Sequence, residues 1–414
     1  MAHCGAHWVS NNARRCGFAT RRDMIEPVVA SRRLILFAGG VFAAESGFYA
    51  VVPPLIPRLV HDLHLTTTEV GVLVAAYPAG VLLGAVPSIA MVDRFGVRAT
   101  TFAGFALLVM ATLGFGWGTS GGILDASRFV QGVGGAVAWS GALAWLTSTT
   151  SPGRRGSAIG AAIGAALIGM VVGPAMGAAA ALAGRGVVFS GLAVLLAGLA
   201  FAGPAAAPAS GRTRGSARAL VRLLRNRRAA VGNGVLSVVG IVGGTAWSLL
   251  PLLIARLQGS AATIAWILAV SYLVAALVNV FVGRLSDRFG RLAPTVVGLV
   301  IAALLLPGLP LFTTLAPLVI ASIVASAVVS GLWTPTAAMI TDAADPGASG
   351  HAVGVAAMNA SWAAGGAAGA LLMARLADTA GFVLPFALAG GLCAASAVVA
   401  PIVYHRVALL VEQT

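Results

Sequence analysis

Twelve long apolar runs, separated by short polar gaps, account for most of this 414-residue sequence. Each has about the 20 residues that an α-helix needs to cross a bilayer core of roughly 30 Å. Because a backbone in hydrocarbon must satisfy its own hydrogen bonds, each run is predicted to be a membrane-spanning helix. The predicted spans are 34–57, 70–92, 99–117, 123–147, 157–182, 187–207, 229–257, 263–282, 294–312, 315–341, 350–377 and 384–409.

The composition supports a membrane protein and argues against nucleic-acid binding. Hydrophobic residues make up 59% of the chain and charged residues 9%, whereas soluble domains carry about 25% charged residues. The net charge of +14 arises from 26 basic residues, all of them arginine, against 12 acids. These arginines lie in the gaps between apolar runs instead of gathering on a folded soluble face, so the expected partner is the lipid bilayer.

The distribution of arginine predicts the orientation of the chain. With both termini in the cytoplasm, 21 arginines lie on the inner side, and four lie outside, at Arg58, Arg185, Arg256 and Arg375. Cytoplasmic loops carry this excess of positive charge. The sequence therefore predicts a multi-pass plasma-membrane protein with an N-terminal disordered tail (1–33), a six-helix bundle (34–207), an Arg-rich linker (208–228), a second bundle (229–409) and a C-terminal tail (410–414). Met24 is an alternative start.

Two shorter segments have patterns of their own. In the linker, arginines at positions 218, 222 and 225 alternate with leucines, which favours either an amphipathic helix on anionic headgroups or a solvated connection. Thr66 and Glu69 form a capping-box pattern at the start of the second span.

No residues are predicted to catalyse a reaction or to bind a metal or cofactor. Cys4, Cys16 and Cys393 are too few and too scattered for a disulfide framework or a ligand set. The chain has no nucleotide-binding loop, no His-Glu-x-x-His helix and no nucleophile with its base. An enzyme is therefore disfavoured, and an ion gradient is the expected source of energy.

A charged loop occurs twice in the chain. The residues between the eighth and ninth spans include Gly283, Asp287, Arg288, Gly290 and Arg291. A shorter copy between the second and third spans has Asp93, Arg94, Gly96 and Arg98, and Asp93 precedes Asp287 by 194 residues. This repeat predicts an internal duplication of a six-helix unit.

Two spans of the first half carry further patterns. The fourth span contains Arg128, Gln131 and Gly132. The fifth span contains small residues and a proline whose spacing predicts close helix packing and a bend, at Gly160, Gly169, Gly173, Pro174 and Gly177. In the second half, the span with Gly365, Gly366 and Gly369 is interpreted as a looser counterpart.

Glu45 is an acid within the first span. A carboxylate at the centre of a membrane helix costs at least about 2.5–3.5 kcal/mol, so an intramembrane acid is by default a functional hypothesis. We hypothesise that Glu45 alternates between protonated and charged states, because burial favours the neutral acid and a nearby cation such as Arg128 favours the carboxylate. The alternatives are a structural hydrogen bond for Glu45 and a local pair with Asp125 for Arg128.

These motifs together resemble the major facilitator superfamily, and within it the twelve-span drug:proton antiporters. The resemblance rests on the two charged loops, on Arg128, Gln131 and Gly132, and on the fifth-span glycines with Pro174. It covers about residues 30–410. It implies an all-α membrane protein with twelve helices in two pseudo-symmetric six-helix bundles that rock around a central cavity. It also implies that the charged loops act as a conformational latch.

By the same resemblance, the cavity is lined from the first, fourth, seventh and tenth spans. The candidates are Tyr49, Trp139, Asn233, Trp247, Trp333 and, on the eleventh span, Asn359. Aromatic faces suit flat lipophilic cations, although Trp and Tyr also populate membrane interfaces. Asp342 and Asp345 are interpreted mainly as loop acids, with a role in the latch as the alternative.

The resulting prediction is a proton-coupled antiporter that exports small lipophilic molecules by alternating access. Its partners would be protons, a small-molecule substrate and the bilayer, and it would act as a monomer. The alternatives are a proton-coupled uptake carrier for a sugar or organic acid, and less favoured a membrane sensor or a membrane enzyme.

Overall fold

Helices joined by short turns make up the described chain. The computed structural model describes residues 21–150, 155–202, 217–344 and 348–412. The helices of the first half are α1 (Arg21–Ala50), α2 (Ile56–Leu63), α3 (Thr67–Trp117), α4 (Gly121–Thr149), α5 (Arg155–Ala183) and α6 (Arg185–Ala202). Those that follow are α7 (Ala217–Leu224), α8 (Arg227–Arg256), α9 (Ala261–Phe289), α10 (Leu292–Leu305), α11 (Leu315–Gly331), α12 (Trp333–Asp342), α13 (Ala348–Ala380) and α14 (Val383–Glu412).

The twelve-span prediction is confirmed. In the described ranges, ten helical segments are long and apolar enough to cross a membrane. One of them, α3, contains two spans because the helix is interrupted at Gly96, and the apolar part of α6, Arg185–Phe201, is a shorter span. Each half also has a hydrophobic core, one mainly from residues of α1–α6 and the other from residues of α7–α14, and Ala370 of α13 joins the first of these cores.

The two charged loops have the same backbone conformation. Gly96 has φ 81° and ψ 166°, and Gly290 has φ 81° and ψ 165°. Positive φ is readily available only to glycine, so each glycine allows two consecutive spans to reverse within a few residues. The near-identical angles support the predicted duplication.

Some boundaries differ from the sequence-based prediction. Helix α1 begins at Arg21, so residues 21–33, predicted as part of a disordered tail, are helical. Strong helix formers such as Ala30, Arg32 and Arg33 precede the apolar span, and the helix extends back from it and continues past Pro27. In the linker, α7 is helical, with Leu220 and Leu223 buried. The predicted capping box of Thr66 and Glu69 is confirmed.

Close helix packing places α5 against α1. A Cβ on Gly169 would lie 2.0 Å from the Ala43 carbonyl oxygen, and the corresponding distances are 2.4 Å from Gly173 to the Gly47 oxygen and 2.2 Å from Gly177 to the Val51 oxygen. The three glycines thus allow the backbones to touch along the part of α1 that carries Glu45. Gly160 has no heavy atom within 4 Å of such a Cβ and takes no part in this contact.

The second half has an equivalent contact between α8 and α13. A Cβ on Gly365 would lie 2.0 Å from the Ser237 oxygen, and one on Gly369 would lie 2.3 Å from the Ile241 oxygen. Glycines of α8 reciprocate, since a Cβ on Gly240 would lie 2.3 Å from the Trp362 oxygen. The interpretation of this span as a looser counterpart is therefore wrong, because α8 supplies glycines of its own.

Candidate functional site

Glu45 lies inside the first half, where three helices meet. Its side chain, on α1, is only 3% exposed. The Tyr77 hydroxyl of α3 donates a hydrogen bond to Oε1, and the Trp139 indole nitrogen of α4 donates to Oε2 at 3.1 Å. A Cβ on Gly135 would lie 2.8 Å from Oε1, so the absence of a side chain there makes room for the carboxylate. The acid therefore points into protein and away from lipid.

Arg128 occupies a neighbouring buried position on α4. It is 0% exposed, and its Nη1 donates to the Gln131 side-chain oxygen. The guanidinium carbon lies 5.0 Å from the centre of the Tyr77 ring and 5.6 Å from the centre of the Tyr49 ring. Tyr77 thus contacts both the Glu45 carboxylate and the Arg128 guanidinium, and among the described residues its hydroxyl donates to Glu45.

Small residues bring α3 and α4 close enough to form this site. A Cβ on Gly132 would lie 2.1 Å from the Tyr77 carbonyl oxygen, and one on Gly80 would lie 2.2 Å from the Phe129 oxygen. The two backbones therefore touch at the turn that carries Arg128. Such contacts between small residues are a common way for membrane helices to associate.

Asp125 lies away from this pair of charges. It is partly buried and lines a small cavity with Leu65, Glu69 and Leu73. Among the described residues, no ion pair joins Arg128 to Asp125 or to Glu45. The local Arg128–Asp125 pair, considered as an alternative, is therefore not formed.

A row of aromatic rings connects the acid to the second half. The Tyr49 ring centre lies 4.5 Å from that of Tyr77 and 4.0 Å from that of Trp247, with which it stacks at 22°. Tyr49 also lies 6.0 Å from Trp362, whose ring is 6.5 Å from Trp333. Within the first half, Phe42 stacks on Trp139 at 3.8 Å. Tyr49 is therefore a direct contact between the two bundles.

The remaining cavity candidates are polar. Asn233, on α8, is buried, and its side-chain oxygen accepts a hydrogen bond of 3.2 Å from the Ser361 hydroxyl of α13. Asn359 lies nearby in sequence on α13 and is partly buried. In the described part of the chain, no group of three His, Cys, Asp or Glu side chains is arranged to hold a metal ion.

Several contacts of the charged loops lie within their own half. Arg291 pairs with Asp287 at 2.5 Å and lies 3.8 Å from Asp342 at the end of α12. A Cβ on Gly283 would lie 3.5 Å from Thr334. The guanidinium groups of Arg94 and Arg288 lie over the neighbouring rings of Phe95 and Phe289, respectively, and that of Arg98 lies over Phe102. Asp345 lies outside the described residues.

At the opposite end of the bundle, an acid of the second half contacts the first half. The Asp378 carboxylate, near the end of α13, accepts hydrogen bonds from the backbone N–H groups of Thr67 (3.1 Å) and Thr68 (2.7 Å) and from the Thr68 hydroxyl. The first N–H groups of a helix such as α3 have no acceptor within the helix itself, and the helix dipole favours an anion at this end. A Cβ on Gly71 would lie 2.4 Å from the Ala374 Cβ. We call this the Asp378 end.

Sequence reasoning missed Tyr77, Gly135 and Asp378. Tyr77 and Glu45 are 32 residues apart, and Asp378 and Thr68 are 310 residues apart. The sequence contains one local indication that Tyr77 belongs to the site, because its hydroxyl is a polar group inside an apolar run. Asp378 has no such indication, since an acid at the end of a span is ordinary.

Comparison with known proteins places this arrangement in a family. A sequence model described as the Major Facilitator Superfamily matches residues 37–245 and 234–409. A solved D-xylose-proton symporter superposes with a TM-score of 0.71 and 16% identity, covering 90% of this chain and 97% of that one. A bacterial homolog of the human lysosomal transporter Spinster, in an inward-facing and unoccupied conformation, has a TM-score of 0.70 and 15% identity, covering 91% and 95%.

The sequence relatives include multidrug resistance proteins and MFS-type transporters. Multidrug resistance protein 2 of Bacillus subtilis (strain 168) is 29% identical over 126 residues, which are 30% of this chain and 31% of that protein. The matched segment thus spans about a third of that relative. The uncharacterized MFS-type transporter YcaD of Escherichia fergusonii is 26% identical over 267 residues, 64% of this chain and 69% of that one. Because the family model matches nearly all of both bundles, the chain belongs to the Major Facilitator Superfamily of membrane transporters.

Proposed function

We propose that this transporter is a proton-coupled antiporter of the plasma membrane that exports small lipophilic molecules. The observation that carries the proposal is the buried Glu45 carboxylate, held by donors from α3 and α4 beside an aromatic contact between the halves. A partial match to a multidrug resistance protein supports export. One chain supplies both halves of the site, so the proposed functional unit is a monomer.

The geometry suggests how proton binding is linked to movement. Tyr77 donates to Glu45 and packs against Tyr49, which stacks on Trp247 of the second half. When Glu45 takes up a proton, one of its oxygens becomes a hydroxyl, which is a weaker acceptor, so the hydrogen bond from Tyr77 or the one from Trp139 weakens. Tyr77 therefore connects the protonation state of Glu45 to the contact between the halves. A lipophilic cation bound between those rings would stabilise the deprotonated acid, so proton and substrate compete.

The proposal is tested in everted membrane vesicles whose lumen has been acidified. Addition of an exported fluorescent cation should release luminal protons, and a protonophore should abolish both the release and the uptake of the compound. Vesicles lacking the protein are the control. Accumulation of the compound that survives the protonophore would contradict proton coupling.

Proton-coupled uptake of a sugar or organic acid is the second candidate. Asn233 and Ser361 form a buried polar pair, and sugar binding requires such groups. In the same vesicles, a symporter would not release luminal protons when its substrate is added outside. The direction of the proton movement therefore separates the two candidates.

Replacement of Asp378 by asparagine should open the Asp378 end. The change removes an anion from the N-terminus of α3, where its interaction with the helix dipole is worth about 0.3–1 kcal/mol. It also weakens hydrogen bonds that are worth about 1.5–3 kcal/mol when the acceptor is a charged carboxylate. A net loss of about 1.4 kcal/mol would lower the ratio of closed to open molecules about tenfold. Distances between spin labels at the exposed positions Thr119 and Val383 report this ratio.

Asp62 provides the matched control for this prediction. It is an exposed acid, and its partners Arg58 and His61 belong to its own half. Asp62→Asn should leave the distance distribution unchanged. If Asp378→Asn gives the same distribution as Asp62→Asn, the Asp378 contact does not hold the halves together.

A further inference from the structure

One edge of the Arg128 guanidinium has no hydrogen-bond partner among the described residues. The side chain is fully buried, and Nη1 donates to Gln131, but Nε and Nη2 donate to no group in the described part of the chain. These two nitrogens form the side-on fork of arginine, whose parallel N–H bonds match two oxygens of a planar group. The free edge is therefore the one best suited to bind a ligand.

The neighbouring groups do not fill this fork. The Glu45 carboxylate already accepts from Tyr77 and Trp139, and no ion pair joins it to Arg128 among the described residues. The Tyr49 and Tyr77 rings cover the guanidinium at 5.6 and 5.0 Å. A buried charged donor without an acceptor is costly, so an acceptor from outside the protein would be bound strongly.

We propose that the Arg128 fork binds a planar oxygen acceptor of the transported molecule. The favoured substrates are then flat aromatic compounds that carry a carbonyl or carboxylate group in addition to the positive charge that competes with the proton. Their rings would lie between Tyr49 and Trp247, which are both partly exposed and stack on each other when nothing separates them. Their oxygen atoms would accept hydrogen bonds from Nε and Nη2 of Arg128, whose guanidinium carbon lies 5.6 Å from the centre of the Tyr49 ring. This inference rests on the proposed export function only for the direction of transport and for the positive charge of the substrate.

Equilibrium binding to the purified full-length protein tests the inference. The probes are naphthoate, which has the acceptor, and naphthylmethylammonium, which has the same ring system without it. Binding is followed by isothermal titration. Arg128→Lys keeps the positive charge but loses the fork, so it should weaken naphthoate binding at least about tenfold and change naphthylmethylammonium binding less than about twofold.

Two results would overturn the inference. One is an unchanged affinity of Arg128→Lys for naphthoate, which would mean that the fork is satisfied by the tyrosine rings or by water. The other is an equal loss for both probes, which would indicate a general structural effect. Naphthoate binding that is selectively weakened supports the inference.

A second variant covers the case in which Arg128→Lys fails to fold. Gln131→Glu places a carboxylate beside the guanidinium, so it should compete with the probe and lower naphthoate affinity about tenfold. An unchanged affinity would again overturn the inference. Binding needs no proton gradient, so the inference can fail while proton-coupled export holds, and export can fail while the fork still binds naphthoate.

Discussion

Glu45→Gln is expected to abolish proton-driven transport while the protein remains folded. Glutamine keeps the shape of the side chain and one acceptor oxygen for Tyr77 or Trp139, but it cannot exchange a proton. Transport measured in proteoliposomes under a pH gradient should fall to the background rate. Substrate affinity should also lose its pH dependence, since coupling between two ligands is typically worth about 1–3 kcal/mol, or about 5–150-fold in affinity.

Two controls make this prediction specific to the Glu45 proton. Asp62→Asn removes an exposed acid whose ion pairs, among the described residues, are with Arg58 and His61 on its own helix α2, and it should transport at the wild-type rate. Equilibrium binding of the substrate to Glu45→Gln should persist and become insensitive to pH. Proton-driven efflux retained by Glu45→Gln would show that the acid has the purely structural role considered as the alternative.

The spans and their arrangement could be predicted from sequence because their determinants are local. The length of an apolar run predicts whether it can cross the membrane, and the number of arginines in a gap predicts on which side that gap lies. The duplication could be predicted for the same reason, since the charged loop around Gly96 and Gly290 occurs twice in the sequence. In the structure, the two glycines adopt nearly equal φ and ψ. The start of α1 at Arg21 was not predicted, because composition does not fix how far a helix extends beyond the apolar core.

The site could be predicted only in part, because it depends on which helices are neighbours. Glu45 and Arg128 stand out as charges in apolar runs. Tyr77, the residue that contacts both, depends on the close approach of α3 and α4 at Gly80 and Gly132. Asp378 depends on the contact of α13 with α3 across the two halves. Such pairings require the tertiary structure.

Gly169→Ala is expected to destabilise the first half and to stop transport. The added Cβ would lie 2.0 Å from the Ala43 oxygen, whereas a carbon–oxygen contact needs about 3.3 Å. Helices α1 and α5 would have to separate by about 1.3 Å, beside the segment that carries Glu45. Alanine gains about 0.5–1 kcal/mol over glycine in a helix, but overpacking costs about 1–3 kcal/mol, so the net effect is destabilising.

Gly160→Ala in the same helix separates overpacking from a general effect of glycine replacement. Since a Cβ there has no heavy atom within 4 Å, only the gain in helix propensity remains, and the midpoint of thermal unfolding should be unchanged or slightly raised. Gly169→Ala should lower that midpoint and the transport rate together. If both variants unfold and transport like the wild type, α1 and α5 do not need their close contact, and the position of Glu45 must be fixed by α3 and α4 alone.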